Sequence, residues 1–255
     1  MSLSIDTTRV VQQRLLSMGQ AISEVLENEE IPYMLAFGSL LGAVRHKGFI
    51  PWDDDFDLFL FDDTYSVAIS ALRNKLPKNM FVENQDTEPL YFHYWAHVKD
   101  LGSMAICHEF PQDSLYSHKG ISIDLYRTKR IKSTAVEGFI NTENKRYVET
   151  RMSKGLITAE DYSERMNAIK EDELCSRWAV SGPEREVFAF PCALSLKFFE
   201  INDVLPLRKY SFEDIEFYGP QNADSVLKLT YGKYLELPPE DKRRSHYSAV
   251  EFYGD

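Results

Sequence analysis

Apolar side chains recur at helical spacing over residues 5–28, at Val10, Val11, Leu15, Met18, Ile22, Val25 and Leu26. One face of a 3.6-residue period is therefore apolar, which predicts an amphipathic helix closed by Pro32. Tyr33–Phe37 then reads as a short buried strand, 39–45 as a helix, 55–61 as a strand and 64–76 as a helix. Aromatic and β-branched runs at 91–99, 103–109 and 120–126 predict three further strands. The pattern then turns charged and helix-forming over 134–178, where Thr158 and Asp161 form a capping-box start for the second of two helices. Ser181-Gly182-Pro183 breaks it. A strand pair at 204–218, a short helix at 222–230 and a polar tail from Leu237 complete the chain. Strands and helices mix without strict alternation, so the expected class is α+β, a mixed sheet with flanking helices and a helical insertion. The expected organisation is one unit over 1–255: a core at 1–130, the insertion at 131–185, and a segment at 186–255 returning to the core.

Composition narrows what this unit does. The chain has 255 residues, 44% hydrophobic and 27% charged, and a formal charge of −11. An acidic chain lacks the basic face that a nucleic-acid binder needs, so no nucleic-acid partner is expected. No run approaches eighteen apolar residues, and the first residues do not resemble a signal peptide. The three cysteines, Cys107, Cys175 and Cys192, are far apart and read as reduced, small buried residues. A cytoplasmic location follows as the expectation.

One stretch carries chemistry. Phe37-Gly-Ser-Leu-Leu-Gly-Ala-Val-Arg-His-Lys-Gly-Phe-Ile-Pro-Trp-Asp-Asp-Asp-Phe-Asp-Leu58 joins a Gly-Ser turn to four aspartates in five positions. Alternation along a strand puts Asp53, Asp55 and Asp57 on one face and Phe56, Leu58 and Leu60 on the other. Like charges so spaced repel unless a cation separates them, and a hard divalent ion with oxygen ligands is the natural partner. Gly38-Ser39 at a strand-to-helix turn suits a phosphate. A solvated acidic loop would not carry the interleaved apolar residues. A calcium EF-hand loop starting at Asp53 fails, because Leu58 and Thr64 stand where Gly and Glu are required. Asp124, polar between Ile123 and Leu125, is the candidate third carboxylate. Arg45, His46 and Lys47 read as phosphate contacts or a solvated turn. Trp52, Tyr91, Phe92, Tyr94 and Trp95 cluster in sequence near these acids.

The stretch Gly38–Leu58 closely resembles the signature of the LicD family, which includes bacterial phosphorylcholine transferases and is related to the fukutin-related sugar-phosphate transferases. Ile121-Ser-Ile-Asp-Leu-Tyr126 looks like the family's later acidic strand, and Leu229–His246 like its C-terminal motif. The resemblance implies a nucleotidyltransferase-like fold and a metal-dependent transfer of phosphocholine from CDP-choline to a hydroxyl of a cell-surface glycan, such as a teichoic acid or lipopolysaccharide, or its lipid-linked precursor. Transfer of another substituted phosphate, such as a polyol phosphate, or of the nucleotide itself, are the alternatives. Carried over to this chain, Asp55 and Asp57 bind Mg²⁺ or Mn²⁺, and Asp124 binds metal or draws the acceptor's proton. Gly38 and Ser39 hold phosphate or nucleotide, and Arg45 and His46, just upstream of the acids, are further candidates for that contact. Trp52, Tyr94 and Trp95 are candidate faces for the choline ammonium, while Arg243 and His246 are candidates to close over the ligand. A membrane-borne acceptor implies peripheral contact at the inner face of the membrane.

Overall fold

The computed structural model describes residues 3–107, 111–190 and 197–253. Ser4 caps the first helix, its hydroxyl accepting the Thr7 amide, and α1 runs Ile5–Asn28. Val11, Leu15, Met18, Ile22 and Leu26 are fully buried along its inner face, while Val10 turns to solvent. Next come β1 (Tyr33–Leu35), α2 (Phe37–Arg45), β2 (Asp57–Phe61), α3 (Asp62–Lys75), β3 (Met80–Glu83), β4 (Ala96–Asp100) and β5 (Ser103–Cys107). The second half holds β6 (Ser122–Lys132), α4 (Val136–Ser153), α5 (Ala159–Leu174), β7 (Glu186–Phe190), β8 (Lys197–Glu200) and α6 (Ile201–Val204). The chain closes with β9 (Arg208–Phe212), β10 (Ile215–Gly219), α7 (Ala223–Tyr231) and β11 (Tyr247–Phe252).

The class is α+β. A mixed sheet runs β1-β2-β6-β4-β3, with β7 pairing the far half of β6 and β8 pairing β7. The eleven residues of β6 thereby serve two neighbourhoods. Its first half lies parallel to β2 and antiparallel to β4, while Lys129–Lys132 pair with β7. Strand β2 is buried at every position, as a central strand covered on both faces should be. Helix α1 packs beside α3 and reaches β6, and α2 packs on β2, β9 and α7.

Three sequence expectations change. The run 91–99 is extended only from Ala96; Tyr91 and Phe92 are buried in an irregular segment and form a satellite aromatic cluster with Tyr116 and Tyr147. Their β-like composition reflects burial, which strand propensity largely measures. The stretch from Leu237 is no tail, because β11 pairs antiparallel with β5 and brings the C-terminal segment back. Of the cysteines, Cys107 is half-buried and Cys175 exposed; Cys192 and the last two positions of 103–109 lie outside the described residues. The capping box at Thr158 and Asp161 is formed in full. Among the described residues, no helix is long and apolar enough to cross a membrane.

Candidate active site

The loop carrying the acids is fixed before any ligand arrives. Gln12 on α1 donates to the carbonyls of Ile50 (3.1 Å) and Asp53 (2.7 Å). Arg9 holds Glu213 in a two-pronged ion pair, and the Glu213 amide donates to Lys47 O, binding the turn after α2 to the β9–β10 hairpin. Phe37 enters α2 with φ +38°, a left-handed geometry that costs energy for a ring-bearing residue. Its ring is locked against Phe59, Tyr126 and Phe190 at 4.9–5.4 Å. That turn aims Gly38 and Ser39 at the aspartates. Ser39 Oγ accepts the Asp57 amide at 2.8 Å, and a Cβ on Gly38 would stand 2.8 Å from Asp53 Oδ2.

Strand register brings the distant carboxylates together. Asp57 and Asp124 are direct partners on parallel β2 and β6, and Asp124 faces His97 on β4. Strand β2 starts at Asp57, so Asp53–Phe56 form an irregular segment rather than the alternating strand expected. The irregular segment changes the roles of the four acids. Asp54 is completely buried and accepts from the His246 amide (2.6 Å), the Tyr247 amide (3.1 Å) and His246 Nδ1 (3.3 Å). It latches the C-terminal segment to the acid loop. Asp53 lies 3.4 Å from His246 Nδ1. Asp55, Asp124, His97, Lys99 and His246 line a small cavity of about 70 Å³ with Asp57 beside it.

The charges explain the titration directions. Burial, then Asp55 and Asp124, push the Asp57 carboxyl well above the ordinary range. Burial and Asp55 do the same to Asp124, with Lys99 opposing. Asp53 rises to about 7, through burial first, then Asp55 and Asp54 against the pull of His246. Burial opposes protonation of His246, but the Asp54 hydrogen bond and the charges of Asp55 and Asp53 carry it up to about 11, so the ring is an imidazolium among carboxylates. Burial, Lys99 and His93 keep His97 neutral. Its Nε2 accepts from Trp95 Nε1 at 3.1 Å and lies 3.4 Å from Asp124 Oδ1, while Tyr126 OH donates to Asp124 Oδ2 at 3.2 Å.

The donor chemistry of Asp55, Asp57 and Asp124 is of the kind that suits a divalent cation. The three carboxylates supply hard oxygen donors, and Asp57 Oδ1 is buried without a hydrogen-bond partner among the described residues. An acceptor oxygen left so is costly unless something positive meets it.

The other sequence candidates fall in different places. Arg45 donates to the carbonyls of Tyr234 and Glu236 and, through Nε, to His46, whose ring lies edge-on to Trp52. Trp52 carries the Arg243 guanidinium on its face at 4.7 Å. Arg243 and His246 are therefore separated in role, one on Trp52 and one among the acids. Tyr94 and Trp95 line a different, larger cavity. Sequence reasoning missed His97, Lys99, Asp54 and Tyr231 as site residues. Burial first, then Asp57, Asp53 and Asp55, raises the Tyr231 hydroxyl, which places it near the cluster. His97 and Lys99 left a signal, since both alternate with Ala96 and Val98 along one strand.

Residues 30–151 match the family model described as LicD/FKTN/FKRP, nucleotidyltransferase domain. The acid loop, β2 and Asp124 all lie inside the match, so the α+β fold and its acid site are similar to a nucleotidyltransferase domain. Residues 30–151 are thus similar to the LicD family over just under half of the chain. The lipopolysaccharide cholinephosphotransferase LicD of Haemophilus influenzae is 44% identical over 59 residues, 23% of this chain and 22% of that protein. An uncharacterized protein of Rickettsia prowazekii is 24% identical over 167 residues, 55% of this chain and 58% of that protein. The matches span less than two thirds of the length of these relatives.

Proposed function

We propose that the chain is a metal-dependent transferase that moves phosphocholine from CDP-choline to a hydroxyl of a cell-surface glycan or its precursor. One observation carries the reading: β2 and β6 set Asp57 directly beside Asp124, with Asp55 on the same cavity, in a segment that matches the LicD family. Asp55 and Asp57 would hold Mg²⁺ or Mn²⁺, with Asp124 as the third carboxylate. The ion would neutralise charge on the transferred phosphoryl group and on the leaving phosphate. Gly38 and Ser39, at the first turn of α2, would bear on the donor phosphates. In the step itself, the acceptor oxygen forms a bond to the outer phosphorus, the bond to CMP breaks, and Asp124 takes the hydroxyl proton. Positioning and electrostatic stabilisation supply the acceleration. His246 and Lys99 are the chain's own cations in the site and limit repulsion among the acids.

The test is product analysis. The protein is incubated with CDP-choline, CDP-ribitol or CTP, with and without Mg²⁺, and with glycan acceptors. Metal-dependent release of CMP from CDP-choline supports the reading. CMP release from CDP-ribitol alone would move the donor to a polyol phosphate, and pyrophosphate release from CTP would replace phosphocholine transfer with nucleotidyl transfer.

A further inference from the structure

A second cavity, of about 360 Å³, adjoins the carboxylate cluster. Its size is that of a small-molecule pocket. Tyr126 is the shared wall. Tyr126 lines both cavities and its hydroxyl donates to Asp124, so the large cavity and the carboxylate site meet at this one side chain. Flat rings pave the interior. Trp95 stacks on Tyr126 at 4.8 Å and 31°, and Tyr94 on Tyr147 at 4.7 Å and 36°. Three cations line it, Arg127, Lys129 and Arg146, against the two acids Asp86 and Glu143. Arg127 and Lys129 share Asp62 as a partner, and Arg146 is exposed on α4.

This lining disfavours a choline headgroup, because a quaternary ammonium gains from aromatic faces but is repelled by neighbouring cations. It favours a ligand with an apolar flat face, several hydroxyls and a negative charge. We propose that this cavity holds the acceptor of the transfer, and that the acceptor is a sugar bearing a phosphate or carboxylate group. The proposal rests on the transferase reading above. The sugar ring lies against Trp95 and Tyr94, its anionic substituent meets Arg146 and Lys129, and its reacting hydroxyl points past Tyr126 toward Asp124.

Calorimetric titration of the intact protein with glucose 6-phosphate, glucuronate, glucose and inorganic phosphate tests this, with and without saturating CDP-choline and Mg²⁺. Glucose 6-phosphate or glucuronate binds at least about tenfold more tightly than glucose or phosphate, and which one does so identifies the anionic group. CDP-choline does not displace it. Arg146→Gln, an exposed substitution, weakens it about fivefold, and Lys129→Gln acts in the same direction. Equal affinity for phosphate alone, no binding of either anionic sugar at millimolar concentrations, displacement by CDP-choline, or indifference to both substitutions overturns the proposal. If CDP-choline shows no metal-dependent binding while the anionic sugar still binds, the donor reading fails and the anionic-sugar site stands.

Discussion

Replacing Asp54 tests how the acid loop is held. The side chain has no solvent exposure and accepts three hydrogen bonds from His246 and Tyr247, two of them from backbone amides. Hydrogen bonds to a charged acceptor contribute about 1.5–3 kcal/mol each, and a buried donor left without a partner costs about 1–3 kcal/mol. Asp54→Ala strands the two amides and removes the neighbour of the His246 imidazolium, so a loss of about 3–5 kcal/mol is expected, as for breaking a buried charged pair. With a urea m-value of about 3 kcal/mol/M, the unfolding midpoint falls by at least about 1 M. Asp54→Asn keeps one acceptor oxygen and loses roughly half as much. Equilibrium urea unfolding followed by tryptophan fluorescence reads both variants. An unfolding free energy for Asp54→Ala within about 0.5 kcal/mol of wild type, the usual range of a surface substitution, would refute the latch.

Glu83 supplies a pH test. It is fully buried, takes a hydrogen bond from the His97 ring, and burial raises its carboxyl to about 7 from 4.5. Between those values the folded chain keeps a proton that the unfolded chain has released, so this group's contribution to stability falls as pH rises through the window, by about 3 kcal/mol. Glu83→Gln removes that fall: urea unfolding at pH 5 and pH 8 should show the variant gaining on wild type at the higher pH, and parallel changes would contradict the assignment. Thr158→Ala breaks the capping box of α5 and should cost about 1 kcal/mol, seen as faster amide exchange in its first turn. Gly42→Ala drives a methyl group into the Gly48 carbonyl and should cost about 1–3 kcal/mol by thermal unfolding; an unchanged Tm would mean that the turn yields freely.

Much of the site was legible because it is local. Helix α1 followed from its apolar stripe, and Asp124 from one polar residue between two apolar ones in a strand. The stretch 38–58 contains the turn, the acids and the start of β2 in one run. The family match covers that run and Asp124. What sequence did not show depends on long-range pairing. The sequence pattern starts the strand at residue 55, with alternation extended back to Asp53, but β2 begins at Asp57, and the irregular segment before it gives Asp54 a structural role that its neighbours do not share. Tyr247-Ser-Ala-Val-Glu-Phe252 has a weak alternating pattern, and its pairing with β5 spans over a hundred residues, so neither β11 nor the position of His246 was visible. Trp52 was grouped with Tyr94 and Trp95 by proximity in the chain, whereas the fold puts Trp52 under Arg243 and the other two in the large cavity.

The central claim is that Asp55, Asp57 and Asp124 hold a divalent ion for the donor. Calorimetric titration of CDP-choline into wild type and Asp57→Asn, each with and without Mg²⁺, tests it most directly. The account predicts binding to wild type only with Mg²⁺, and a loss of at least about tenfold in affinity in the variant, which folds at least as well because it sheds a repelling charge. Equal affinity with and without the metal, or an Asp57→Asn variant that binds as wild type does, would contradict it.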